Sequence, residues 1–75
     1  MGLKQLRIDR LLSQGDLARG ANVSIRSISN WERGASRPRM AQRRLVLSYL
    51  GVPFERHIEV FGPLADLGPQ PRELP

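Results

Sequence analysis

Apolar side chains recur along this chain at spacings of three and four, the period of one helix face, and the groups are separated by Ser, Asn, Gly and Pro. Leu3 and Leu6 share one side of a first helix over about Leu3–Leu11, with Lys4, Asp9 and Arg10 mostly outside. Ser13 is a natural cap for a second helix over about Gln14–Ala21, with Asp16 favourable in its first turn and Leu17, Ala18 and Ala21 inside. Gly15 and Gly20 weaken that helix by about 1 kcal/mol each relative to alanine at a free interior position, a deficit that packing must offset. Asn22 ends it, because asparagine is the next choice after glycine for a left-handed turn residue. Val23 then drops into the core, Ser24 caps a third helix over about Ile25–Arg33, and Gly34 stops it.

Pro38 disfavours a helical Arg37, so Ala35–Pro38 reads as a loop. A fourth helix follows over about Arg39–Leu50, with Met40, Val46 or Leu47, and Leu50 as its core stripe. Gly51 stops it, and Pro53 suits the first turn of a fifth helix over about Pro53–Phe61. Phe54, Ile58 and Phe61, at i, i+4 and i+7, are expected to face the core. Trp31 is expected to pack against the fourth helix rather than serve as a platform for bases. Residues 62–75 carry prolines at 63, 69, 71 and 75, and an extended or partly disordered tail is expected. The pattern predicts an all-α fold of five helices, with a domain over residues 1–61 and a proline-rich tail over 62–75.

The chain has 75 residues, which limits it to one small domain. It has no cysteine and a single histidine, His57, so neither disulfides nor a zinc site are expected. His57 reads as a surface or interface residue. Asp9, Asp16 and Glu32 lack the clustering of a metal or general acid–base site, so no catalysis, no metal and no cofactor is expected. No apolar run approaches the ~18 residues of a membrane span, and no secretion signal is evident, so a cytoplasmic setting is expected, in a bacterial nucleoid or a phage-infected cell. The net charge is +5, but residues 1–50 carry ten basic and three acidic side chains while residues 51–75 carry two and four. A basic front and a weakly acidic rear suit a polyanion on one side and a protein neighbour on the other.

The second and third helices, joined by a tight turn, can present the leading end of the third to a DNA major groove. Ile25, Arg26, Ser29 and Asn30 are then candidates for base contact. Arginine can donate twice to guanine, asparagine can pair with adenine, and isoleucine can pack on a thymine methyl group; serine reads bases weakly. Gln14, at the positive end of the second helix, is a candidate phosphate contact, as are Arg33, Arg37, Arg39, Arg43 and Arg44. Arg7, on the inward side of the first helix, and Glu32, near the end of the third, are expected to form a partly buried structural ion pair.

These residues resemble the Cro/repressor-type helix-turn-helix domain, also called the XRE family, over about Leu3–Phe61. The carriers are Leu6-Arg7, Leu12-Ser13-Gln14, Leu17-Ala18, Val23-Ser24, Ile28-Ser29-Asn30-Trp31-Glu32-Arg33-Gly34, Pro38 and Leu50-Gly51-Val52. The resemblance implies a five-helix, lambda-repressor-like domain that binds double-stranded DNA, usually as a homodimer on an inverted repeat. It also implies that Gln14 clamps phosphate, that Ile25, Arg26 and Asn30 read bases, and that Arg7 pairs with Glu32. Three features depart from the pattern. Gly15 replaces a long polar residue, Asn22 replaces the turn glycine, and Leu11 and Ile8 are apolar where exposed positions are expected. Ile8 and Leu11 either mark a partner surface or pack against the tail.

The expected function is a sequence-specific transcriptional regulator, with repression the commoner outcome for a small operator-bound protein. The alternative is a protein-interaction module, such as an antitoxin acting on a toxin or a phage factor acting on RNA polymerase, using Leu64–Leu74 as its contact. Tyr49, Phe61, Pro63, Leu64 and Leu67 either supply a dimer patch or complete the monomer core.

Overall fold

In the computed structural model, which describes residues 2–64, local capping chemistry sets most of the helix boundaries. Helix α1 spans Leu3–Asp9, α2 Gln14–Ala21, α3 Ile25–Arg33, α4 Met40–Leu50, and α5 His57–Phe61, preceded by a 3₁₀ turn over Phe54–Arg56. The described residues form no strand, and the fold is all-α with five helices.

The ends of α2 and α3 follow the expected chemistry. Asp16 N donates to Ser13 Oγ and Ser13 N donates to Asp16 Oδ2, both at 3.0 Å, a reciprocal cap that satisfies two otherwise orphaned donors. The bond from the Ser13 backbone leads in holding the Asp16 carboxyl below the usual carboxylate range. Ser24 Oγ accepts from Ser27 N at 3.0 Å at the start of α3. Asn22 adopts the left-handed conformation (φ 59°, ψ 45°) and turns the chain between the two helices; Gly34 does the same at φ 78°.

Three expectations change. Helix α1 ends at Asp9, not Leu11, because Leu11 leaves the helix at φ 57° with its side chain 92% exposed. Arg10 remains at the surface, yet its Nε donates to Leu50 O at 2.9 Å and so caps the far end of α4. The fifth helix is not continuous from Pro53. A 3₁₀ turn advances about 120° per residue against about 100° in an α-helix, so three such residues rotate the succeeding helix by about 60°. Val60 and Phe61 therefore face inward, and Ile58 is 54% exposed. Finally, Met40 is partly exposed, and the inward stripe of α4 is Arg43, Val46, Leu47 and Leu50.

The core joins Leu3 and Leu6 of α1, Leu17, Ala18 and Ala21 of α2, Ile28 of α3, the apolar part of the α4 stripe, and Val60 and Phe61 of α5. Leu12, Val23, Trp31, Val52 and Phe54 pack around it, half-buried. The ring contact of Trp31 is with Phe61 of α5, edge-on at 6.2 Å, rather than with a ring on α4. Phe61 thus belongs to the monomer core and not to a free dimer patch. From residue 65 onward the tail, including Leu67, lies outside the described residues.

Candidate nucleic-acid interface

Helices α2 and α3 pack directly on each other across the Asn22 turn. With Ile28 fully buried and Trp31 and Glu32 half-buried, the rotation of α3 leaves the opposite side to solvent. On that side Ile25 and Arg26 are exposed at the leading end, and Ser29 and Asn30, half-buried, follow one turn later. Ile25 is 54% exposed, an apolar group held in water beside an arginine. An open cleft of about 500 Å³ between α2 and α3 runs along it, lined by Gly15, Ala18, Arg19, Asn22, Val23 and Ile25. Gly15 lies on the floor of the cleft, where a Cβ would rest in ordinary van der Waals contact with Ile25 Cδ1 at 3.8 Å and Arg19 Nη1 at 3.6 Å.

Behind this face an ion pair fixes α1 against α3. Arg7 Nε donates to Glu32 Oε2 at 2.6 Å and Arg7 Nη2 donates to Glu32 Oε1 at 3.1 Å. The two side chains are only 11% and 4% exposed. Arg7 Nη1 also donates to Leu12 O at 2.8 Å, which holds the segment leading into α2. Gln14 Nε2 donates to Glu32 Oε1 at 3.0 Å, so the first residue of α2 is oriented by the same carboxylate. Burial alone would push the Glu32 carboxyl up, but the hydrogen bonds from Arg7 and then Gln14, with the charges of Arg7 and Lys4, outweigh it and hold it low. The bond to Glu32 likewise raises Arg7 above the ordinary arginine range.

The arginines divide by environment. Arg26, Arg33, Arg37 and Arg39 are exposed. Arg33 Nη2 donates to Asn30 Oδ1 at 2.6 Å, and Arg37 Nη1 donates to Pro63 O at 3.1 Å. Arg39 stands at the cap of α4, where its backbone N donates to Gln42 Oε1 at 3.2 Å. Arg44 is exposed with its guanidinium carbon 4.4 Å from the Phe54 ring centroid.

Arg43 is not a phosphate contact. It is fully buried, with Nε donating to Pro38 O at 2.9 Å and Nη1 donating to Gly62 O at 2.7 Å. Nη1 also lies 2.7 Å from Nδ1 of His57, and the guanidinium carbon sits 5.4 Å from the Phe61 ring centroid. The side chain ties the loop before α4 to the end of α5. Its partner His57 is half-buried and stacks on Phe54 at 4.8 Å, rather than standing at the surface.

Sequence reasoning did not single out Arg19 for the interface, and it treated Gly15 only as a weakness of α2. Arg19 is exposed on the cleft beside Ile25 and pairs with Asp16 at 2.6 Å. A faint signal existed: positions 15 and 19 lie one turn apart on the side of α2 away from Leu17 and Ala21. No group of three or more His, Cys, Asp or Glu residues that could hold a metal occurs among the described residues, and no described helix is long and apolar enough to cross a membrane.

Against known families, residues 3–56 match the model described as helix-turn-helix. No curated protein and no solved structure matches the chain.

Proposed function

The chain belongs to the helix-turn-helix family in its Cro/repressor form, a DNA-binding regulator, and from that premise we propose that it is a repressor reading an inverted-repeat operator through the leading end of α3. The observation that carries this reading is the exposed pair Ile25 and Arg26 at the start of α3, followed one turn later by Ser29 and Asn30. Arg26 is assigned to a guanine, Ile25 to a thymine methyl group, Asn30 to a purine and Ser29 to a minor contact. Gln14, with an amide oriented by Glu32, takes a phosphate at the positive end of α2, and exposed Arg39 and Arg37 take phosphates on the flank.

Two copies related by a two-fold axis would place their α3 helices in successive major grooves, about 34 Å apart. Occupancy of a promoter then excludes polymerase, and the protein acts in the compartment that holds the DNA. Residues 1–61 form the DNA-binding unit, with Gly62 and Pro63 held to it through Arg43 and Arg37. Residues 62–75 serve as its appended segment.

Gel shift on a duplex enriched from a random pool tests the reading. Arg26→Ala is expected to lose the preference for guanine at its own position and so narrow the gap between the enriched and scrambled duplexes, while Arg39→Ala weakens binding to both almost equally and lowers the salt dependence by about one phosphate. Unchanged preference in Arg26→Ala overturns the assignment.

A further inference from the structure

Asn30 does not stand alone on the exposed face of α3. Its Oδ1 accepts from Arg33 Nη2 at 2.6 Å, a short charge-assisted bond between residues separated by three positions and about 4.5 Å of helix rise. Arg33 is exposed, and its position on the helical wheel falls between Ser29 and Asn30, within the outward face rather than on its flank.

The bond changes which base edge the pair fits. An amide by itself matches adenine, because Nδ2–H reaches N7 and Oδ1 accepts from the N6 amino group. With a guanidinium on Oδ1, an approaching amino group meets a positive charge and a ring of donors. Arginine has five N–H donors and no acceptor, so N–H groups remain on Arg33 beside Asn30. Guanine carries N7 in the same place as adenine but offers the acceptor O6 where adenine offers a donor. Asn30 Nδ2 donating to N7 and Arg33 donating to O6 satisfies both.

Resting on the base-reading role proposed for α3, we infer that Asn30 and Arg33 act as one donor unit that reads guanine and rejects adenine. Arg33 is then a specificity-determining residue rather than a phosphate ligand. Together with Arg26, the unit requires a half-site whose contacted purines are guanines.

The test is enrichment from a randomised duplex pool by the full chain and by three variants. Asn30→Ala identifies the position in question, since the preference for a purine weakens there and nowhere else. At that position the unsubstituted protein is expected to favour guanine over adenine about tenfold or more. Arg33→Ala and Arg33→Gln are expected to shift the preference to adenine while leaving the guanine assigned to Arg26 in place. Adenine at that position for the unsubstituted protein overturns the inference. So does an unchanged preference with uniformly weaker binding in both Arg33 variants, which is the behaviour of a phosphate contact. No enrichment by the unsubstituted protein overturns the DNA-reading proposal itself, and the inference with it.

Discussion

Arg43 and Glu32 are charged side chains that the fold encloses and surrounds with hydrogen bonds, so each has consequences for stability that a surface charge lacks. Arg43→Ala would strip donors from the carbonyls of Pro38 and Gly62 and open a hole beside Phe61; a loss of about 3 kcal/mol or more is expected in urea unfolding. Arg39→Ala, at an exposed position, is expected to stay within about 0.5 kcal/mol. Equal, small effects would place Arg43 at the surface and contradict the structure. Arg7→Met leaves Glu32 buried against Gln14 alone and is expected to cost about 3 kcal/mol. The Glu32 carboxyl is held below its unfolded value, about 4.3, so its contribution is present above that pH and is lost as pH falls through the folded value. The stability gap between the native protein and Glu32→Gln should therefore be constant at neutral pH and narrow below about pH 4. The Arg7–Glu32 pairing was legible in the sequence because inward faces of two amphipathic helices each carried one charge. The burial of Arg43 was missed, although 43, 46, 47 and 50 share a helical face. Its charge argued for the surface, and only the carbonyls of two distant loops show how the core accommodates it.

At the level of elements, the turn residues make the sharpest expectations. Leu11 holds a left-handed backbone with its side chain in water, so it carries the steric cost without a packing return. Leu11→Gly relieves that strain but adds freedom to the unfolded chain, so a net stabilisation of about 0–1 kcal/mol is expected in thermal unfolding; a loss of about 1 kcal/mol or more would mean that Leu11 packs on something in solution. Gly20 lies under the ring of Tyr49, where a Cβ would come within 2.2 Å of Cζ. Gly20→Ala should therefore displace the ring and give little net gain, whereas in a Tyr49→Ala background the same change should stabilise α2 by about 1 kcal/mol. A gain of equal size in both backgrounds would contradict the stacking. The boundaries of α2 and α3 could be read from Ser13, Asn22, Ser24 and Gly34, because capping is decided within four residues. The break before α5 could not. Pro53 permits either kind of helix, and the choice depends on how Phe54, His57 and Phe61 meet α4.

For the whole molecule, the distribution of charge matters more than its total. Most basic residues lie in the first 50 positions, and exposed arginines on α3 and around Pro38 give that part of the surface its sign. Binding to DNA should therefore weaken steeply between low and moderate salt, as counterions displaced from several phosphates return. The all-α fold and the pair α2–α3 were legible because periodicity and turn chemistry agreed along the chain. The contacts that shape the interface were less so, since Gln14 on Glu32 and Arg33 on Asn30 depend on side-chain directions that spacing alone leaves open. The central claim, that the leading end of α3 meets the bases, is tested most directly by titrating isotope-labelled protein with its enriched duplex and following the backbone amides by NMR. The largest changes are expected over Ile25–Asn30 and at Ser13–Gly15. Changes centred instead on Leu45–Tyr49, with Ile25–Asn30 unmoved, would contradict it.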